Sequence, residues 1–355
     1  MISALLGIGL LVSAFAGINT GGSSIGESFG PSVGSGVLSP RKAATLMSIF
    51  VVLGGFLVGR HVVDTLGHGF VPSQYFTLPA AIGVLLFTGF GILLGNLREV
   101  SVSTSETAVG AVAGMGAAFG VLNWHTVSSV VTWWLISPVV AFWVAAVIGR
   151  YFYRQIEEQL NLEGEGGRSV IGKVLVIGIA CYMGFSAGAS NVANAIAPLV
   201  GAGVLEMTPG IILGAGTMAV GAFLIGPRTM ETIGNELTVL SLEGALIVEI
   251  IAATIITLLS WVGIPASLAI TAITCVIGLG WGRASRHVEI SRHLRVTNQT
   301  QSDGGGSSKY EHPGDLFSEE MTRHVVATWF LSPLVASVLS FVCFKVAVMT
   351  GLISF

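Results

Sequence analysis

Charge is what this sequence has least of. Only 10% of its 355 residues are Asp, Glu, Lys or Arg, against roughly 25% in ordinary soluble domains. Hydrophobic residues make up 52%. A soluble protein cannot cover its surface with so few charges, so the chain lies in lipid. That sets aside the soluble enzyme classes and nucleic-acid binders, and a formal net charge of -3 implies no strong pull on polyanions. Cysteine is nearly absent as well. Cys181, Cys275 and Cys343 fall in apolar runs at no metal-ligand spacing, so a disulfide scaffold is excluded and they read as small packing residues. No HExxH or paired-aspartate element occurs, and the apolar runs carry no catalytic histidine. The chain is therefore not expected to be an enzyme, nor to hold a metal or organic cofactor.

Glycine, by contrast, is abundant, at 48 positions. In an apolar chain this suits close helix packing or broken helices. A spanning helix needs about 20 mostly apolar residues. Runs of that kind lie near 2–18, 43–59, 77–96, 107–122 and 127–149, then near 171–187, 206–226, 239–261, 264–281 and 324–350. Two stretches, 17–36 and 184–203, are too polar or too rich in glycine to be plain spans. Ala14-Phe15-Ala16 resembles a signal-peptide cleavage site, but no basic segment precedes it, so the first run reads as a span.

Lysine and arginine set the expected orientation. Ten of the sixteen lie in two segments: Arg150, Arg154, Arg168 and Lys173, then Arg283, Arg286, Arg292, Arg295, Lys309 and Arg323. Both segments should face the cytoplasm, which puts both termini outside. Residues 282–322 are rich in Gly, Ser and charge and read as a flexible cytoplasmic insert. The Asn298-Gln299-Thr300 sequon within it carries no expected role.

Sliding the chain along itself reveals a repeat. At offset 167, residues 15–38 and 182–205 share nine of 24 positions: Gly17, Gly21, Ser23, Pro31, Val33, Gly34, Gly36, Val37 and Leu38. The same offset pairs 59–67 with 226–234, while 103–116 pairs with 267–280 at offset 164 and 134–138 with 329–333 at offset 195. The first repeat takes 1–150, a cytoplasmic linker 151–170, and the second repeat 171–281 with its last helix in 323–355, after the insert. Five expected crossings per copy is an odd number, so the second copy enters from the opposite face. The expected fold class is thus an all-α polytopic membrane protein with an inverted-topology repeat and two interrupted or re-entrant helices at mid-membrane, the architecture of many secondary transporters.

The interrupted segments are expected at the two glycine-rich stretches, where freed backbone N–H groups attract anions. Glycines that merely permit tight packing are the alternative. Packing alone does not account for Ser23, Ser24, Ser28, Ser190, Asn191 and Asn194 in the same stretches, with Asn19 at the start of the first. Neutral donors of this kind replace the hydration shell of an anion. Ser103-Thr104-Ser105-Glu106-Thr107 offers a second hydroxyl cluster, or a helix cap. Its partner block keeps only Ser267. Glu27, Glu106 and Glu249 sit in apolar surroundings, where a carboxylate is a functional candidate by default and proton binding its usual role. Glu27 and Glu106 lie within polar clusters and are favoured for coupling; for Glu249 a structural partner is equally expected. Asp64 and Glu231, near Arg60, His61 and Arg228, read as loop ion pairs. Trp133, Trp134 and Trp329 read as interfacial anchors, and His125 as a loop residue.

These stretches resemble the duplicated G-A-N-D-V-A-N-A signature of the inorganic phosphate transporter (PiT) family. Gly188-Ala189-Ser190-Asn191-Val192-Ala193-Asn194-Ala195 is the clear copy; Gly21-Gly22-Ser23-Ser24-Ile25-Gly26-Glu27-Ser28 is the degenerate one. Val102-Ser103-Thr104-Ser105-Glu106, and more weakly Ile264-Pro265-Ala266-Ser267, resemble that family's P-[VI]-S-T-T-H element, and Met230-Glu231-Thr232-Ile233-Gly234 is also family-like. The resemblance runs over essentially the whole chain. It implies an oxyanion site formed by Gly21, Gly22, Ser23, Ser24, Ser28, Gly188, Ala189, Ser190, Asn191 and Asn194, with Ser103, Thr104, Ser105 and Ser267 nearby. It also implies symport driven by Na⁺ or H⁺, a homodimer and a place in the cell membrane.

The sequence departs from the family where both signature aspartates become Ser24 and Asn191, and where the S-T-T-H histidine becomes Glu106. Those aspartates are expected to help bind coupling cations, so the departures point to H⁺. The S-T-S-E form resembles the sulfate-permease branch. Sulfate has no proton to give and prefers donors alone, whereas hydrogen phosphate needs an acceptor such as Glu27 or Glu106. The expected function is a symporter of a tetrahedral inorganic oxyanion, sulfate ahead of phosphate; the alternatives are an Na⁺-coupled phosphate transporter and, remotely, a passive anion channel.

Overall fold

The computed structural model describes residues 2–97, 102–160, 168–237, 241–287 and 319–351, with side chains omitted at 2–3, 168–169, 232–237, 286–287 and 319–330. The sequon, most of the insert at 282–322 and the Trp329 side chain lie outside the described residues. Every described element is helical. The first half holds α1 (Ile2–Gly34), then α2 (Pro40–Gly54), which passes through a π-helical turn into α3 (Arg60–Asp64) and a second π-turn, Thr65–Gly69. It continues with α4 (Leu78–Asn96), α5 (Thr104–Phe119), α6 (Trp124–Val147) and α7 (Tyr153–Leu160). The second half holds α8 (Arg168–Asn191), α9 (Ala193–Gly201), α10 (Met207–Leu224), α11 (Gly226–Leu237), α12 (Leu242–Trp261), α13 (Leu268–His287) and α14 (Glu319–Met349). Among the described residues, nine helical stretches are long and apolar enough to cross a membrane. The run expected at 107–122 falls on α5, whose 16 residues reach only about 24 Å, short of a hydrocarbon core near 30 Å.

The expected interruption at 17–36 does not occur. α1 continues through all its glycines to Gly34. A glycine inside a helix costs about 1 kcal/mol, but an unpaired N–H or C=O in an apolar interior costs several, so the helix persists. In the second copy the break is one residue, Val192, between α8 and α9, where the N–H of Ala195 turns back to the Val192 carbonyl at 3.2 Å.

The glycines instead permit close contact. A side chain at Gly21 would overlap the backbone of Met218 in α10, and one at Gly188 would overlap the backbone of Val51 in α2. Likewise, side chains at Gly221 and Gly54 would overlap the carbonyls of Ile18 and Phe185. Each contact is the other's counterpart at offset 167: Gly21 matches Gly188, Val51 matches Met218, Ile18 matches Phe185 and Gly54 matches Gly221. The two copies therefore interlock reciprocally. α1 and α8–α9 run antiparallel, because Ser13 meets Ala195, Ser24 meets Asn191 and Phe29 meets Gly184.

α4 with α5, and α12 with α13, form helical hairpins. Their first helices share an offset of 164 down to the caps, where the Thr77 hydroxyl accepts from Ala80 N–H and the Ser241 hydroxyl from Gly244 N–H. Tyr75 lies 6.3 Å from Phe119 at the open end of the first hairpin. At the open end of the second, the Tyr153 hydroxyl meets that of Ser241 at 2.5 Å while Arg283 sits 4.1 Å over the Tyr153 ring. Where the two helices of each hairpin join, Val102 and Ser103 of the first and Ala266 and Ser267 of the second are buried. α5 packs mainly on α14, and α13 mainly on α6. Large apolar side chains on α6 and α14, including Leu135, Val139, Leu334 and Val338, face outward, as a lipid-facing surface requires.

Candidate functional site

Both hairpin tips meet the antiparallel pair α1 and α8 where Ser24 faces Asn191. These are equivalent positions of the two copies, and the Asn191 Nδ2 donates to Ser24 Oγ at 2.9 Å. From the first tip, Ser105 Oγ donates to Asn191 Oδ1 at 3.0 Å and lies 3.2 Å from Ser190 Oγ. From the second, the Ala266 carbonyl accepts from Ser190 Oγ at 3.0 Å. Ser24, Ser105, Ser190 and Asn191 are all buried. Four side chains from α1, α5 and α8 thus form one hydrogen-bonded chain of neutral groups.

Around it lie polar atoms that the protein itself leaves without partners. Ser23 Oγ, Ser28 Oγ and both amide atoms of Asn194 are buried and make no hydrogen bond. Such atoms cost about 1–3 kcal/mol each if nothing satisfies them, so they are open to a water or a ligand. The repeat explains the orphaned Ser23. Its counterpart Ser190 lies against Ser105, whereas the position equivalent to Ser105 in the second hairpin is Ala269.

The remaining expected site residues fall into two groups. Ser103 and Ser267 are caps in equivalent places: each hydroxyl accepts from the backbone three residues on, Glu106 N–H at 3.4 Å and Ile270 N–H at 3.3 Å. Thr104, buried beside Ser103, opens α5. Gly21, Gly22, Gly188 and Ala189 are buried within continuous helix and serve the close packing of α1 and α8, with Gly22 against Ile225. Their N–H groups are engaged in helix rather than freed, against the expectation of unwound anion-binding loops.

The carboxylates are spread out. Glu106 lines a small cleft together with Trp134, Ser137, Ser267 and Thr271, with room for about one water molecule. Glu27 is half-buried on α1 and engaged in an interaction of its own. Glu249 is buried within α12, and its Oε1 has no partner. Among the described residues, no cluster of His, Cys, Asp and Glu is placed to hold a metal ion.

Several expectations change. Trp134 is not simply an interfacial anchor: its indole N–H donates to the Pro265 carbonyl at 2.7 Å and so clasps the second tip. Asp64 pairs loosely with His68 at 3.8 Å, not with Arg60 or His61, because helix continues past it to Gly69 and puts residue 68 one turn on. Glu231 is exposed on α11. His125 opens α6 in a helical turn rather than a loop. Cys181 and Cys275 are buried as expected, but Cys343 is exposed. Sequence reasoning missed Asn96, whose amide reaches Asn19 of α1 at 2.9 Å and ties the first tip to the site. Its pairing with Asn19 across 77 residues left no local signal.

The chain matches the phosphate transporter family over residues 20–163 and 154–298. It is 30% identical to the sulfate permease CysP of Bacillus subtilis over 283 residues, covering 79% of this chain and 78% of that one. Among solved structures it resembles one titled the sodium-dependent phosphate transporter, with a TM-score of 0.75 at 20% identity, covering 98% of this chain and 99% of that one.

Proposed function

The chain belongs to the phosphate transporter family, and from that footing we propose that it is a proton-coupled symporter of a tetrahedral inorganic oxyanion, sulfate ahead of phosphate. The observation that carries this reading is the buried set of neutral donors, Ser24, Ser105, Ser190 and Asn191, ringed by the unpartnered Ser23, Ser28 and Asn194. A fully deprotonated dianion is well held by O–H and N–H groups alone, each replacing a water of its shell. The two positions where the PiT signature has aspartate are Ser24 and Asn191 here, so the carboxylates that repel a dianion and attract a metal cation are missing from its centre. The similarity to a sulfate permease supports the same choice.

Gly21, Gly22, Gly188 and Ala189 let the helices that carry the site approach closely, and Ser103, Thr104 and Ser267 hold the two tips. Glu106, and Glu27 less directly, are the coupling carboxylates of this reading. The reciprocal glycine contacts and the antiparallel α1 and α8 support an inverted repeat, in which one copy rocks against the other around a fixed site. In the cell membrane the basic segments face the cytoplasm, both termini lie outside, and a homodimer is expected.

A second reading is sodium-driven phosphate transport. It draws on the unpartnered Asn194 Oδ1, an acceptor suited to the proton of hydrogen phosphate, and on the structural likeness to a sodium-dependent phosphate transporter. Uptake of labelled sulfate and phosphate into proteoliposomes, each under a proton or a sodium gradient, separates the two. Accumulation of phosphate alone overturns the sulfate preference. Full gradient-driven uptake by Glu106→Gln removes Glu106 from coupling.

A further inference from the structure

Beyond that reading, we propose that Glu249 carries a proton in the transport cycle and is joined to the anion site by a lane of hydroxyls along α12. Glu249 is only 4% exposed, and its Oε1 makes no hydrogen bond. Two further oxygens on the same helix, Thr257 Oγ1 and Ser260 Oγ, are buried and unpartnered too. At 100° per residue, Glu249, Ala253, Thr257 and Ser260 fall within an arc of about 80°. That arc faces α8, since the Ser186 hydroxyl donates to the Ala253 carbonyl at 3.2 Å. One turn beyond Ser186, α8 carries Ser190 and Asn191. The segment after α12 returns to the same place, where Ala266 accepts from Ser190. The lane therefore starts at an isolated carboxyl group and ends beside the anion site.

The first copy shows that this lane is no requirement of the fold. At offset 164 the equivalents of Glu249, Thr257 and Ser260 on α4 are Leu85, Leu93 and Asn96. Leu85 is fully buried among Ala16, Ala81 and Leu199, so the position suits an apolar side chain. Asn96 spans to Asn19 on α1. The corresponding pair on α12 and α8 is Ser260 and Ser186, two shorter side chains that do not meet, because Ser186 bonds Ala253 and Ser260 bonds nothing. Leucine has become a carboxylic acid, and a closed amide contact has become two hydroxyls with a gap.

A carboxyl group in such a place holds either a cation or a proton. A cation needs several oxygen ligands, and on this face the residues one turn either side are Ala245 and Ala253. A proton needs one oxygen, and acidic residues within membranes commonly serve proton relays. The other titratable groups near α12 sit along its flanks or at its ends: Tyr182 against Thr254, Cys275 beside Val248, Glu243 with Tyr153 and Arg283 at the Leu242 end, and His61 against Trp261. The chemistry is a bare proton transfer. An O–H bond forms on the Glu249 carboxylate as water on one side gives up a proton, and it breaks to water on the other.

The test pairs two measurements on the full chain in proteoliposomes. Infrared difference spectra on adding sulfate should show a carboxylic C=O band that Glu249→Gln removes and Glu249→Asp retains. Glu249→Gln should also keep sulfate counterflow, which needs no net coupling, while losing proton-driven accumulation. If the unsubstituted protein is driven by sodium instead, the coupling ion proposed above is wrong, and the infrared band alone decides for or against Glu249. A band unchanged in Glu249→Gln, or accumulation equal to the unsubstituted protein, overturns the proposal; so does loss of counterflow in both variants, which would make Glu249 structural.

Discussion

Replacing Asn191 by aspartate returns one signature position to its PiT form and changes the site by a single charge. The two side chains have the same shape, so the fold should persist: Ser105 Oγ can still donate to the retained oxygen, and Ser24 can turn its hydroxyl to donate where it now accepts. The electrostatics change sharply. A dianion about 4 Å from the new carboxylate meets repulsion of about 8 kcal/mol at an effective dielectric near 20. The carboxylate can escape that energy by binding a cation, so the cost should surface as a demand for one. Without sodium, sulfate uptake by Asn191→Asp should fall by at least about a hundredfold, or ~2.7 kcal/mol, which is only a third of the full repulsion. Added sodium should restore a large part of it. Initial rates in proteoliposomes, measured with and without sodium, read both effects. Sodium-free sulfate uptake within about threefold of the unsubstituted protein, ~0.7 kcal/mol, would refute the argument that missing carboxylates at Ser24 and Asn191 define this site.

Other substitutions test other links of the argument. Ser105→Ala leaves Asn191 Oδ1 without its donor and should raise the sulfate KM about tenfold, from a buried polar atom costing 1–3 kcal/mol; an unchanged KM would remove Ser105 from the site. Gly221→Val drives a side chain into the Ile18 carbonyl and should destabilise the protein by about 1–3 kcal/mol or more, read as a lower Tm in detergent. Trp134→Phe frees the second tip from its clasp at Pro265; with about 1 kcal/mol of hydrogen bond lost, transport should slow while the Tm shifts little.

The sequence made some of this legible and hid the rest for physical reasons. Hydropathy marks apolar runs directly, and nine stretches of the described fold correspond to them. The repeat was readable because both copies spend glycine at matching places, and the reciprocal contacts of Gly21 with Met218 and Gly188 with Val51 give the reason. What glycine does there was not readable. The same residue suits an unwound loop or a close helix contact, and only the neighbour decides; here Met218, Val51, Ile18 and Phe185 press against it. The hairpins were hidden because an apolar run of 16–20 residues does not record which neighbour it folds back on. Ser105, Ser190 and Asn191 were each legible as polar residues out of place in apolar runs. Their convergence depends on contacts across 85 residues or more, which no local pattern records. Glu249 was visible as a carboxylate in an apolar run, but its unpartnered oxygen and the hydroxyls above it needed the packing of α12 on α8.

The asymmetry of the repeat bears on how coupling can arise at all. If two equivalent copies exchange conformations as the protein alternates, a group on the axis relating them keeps its surroundings. Ser24 and Asn191 are equivalent positions bonded to each other, which, on the proposed function, suits residues that hold the anion in both states. A group found in one copy only has no twin to replace it when the copies exchange, so its environment must differ between the states. Ser105 against Ala269, Glu106 against Ile270 and Glu249 against Leu85 are such groups. A ligand shifts a conformational equilibrium only by its unequal affinity for the two states. On the proposed function, shared neutral donors at the centre and carboxylates without a twin off it are therefore the arrangement in which a proton, bound unequally, can drive an anion that is bound alike on both sides.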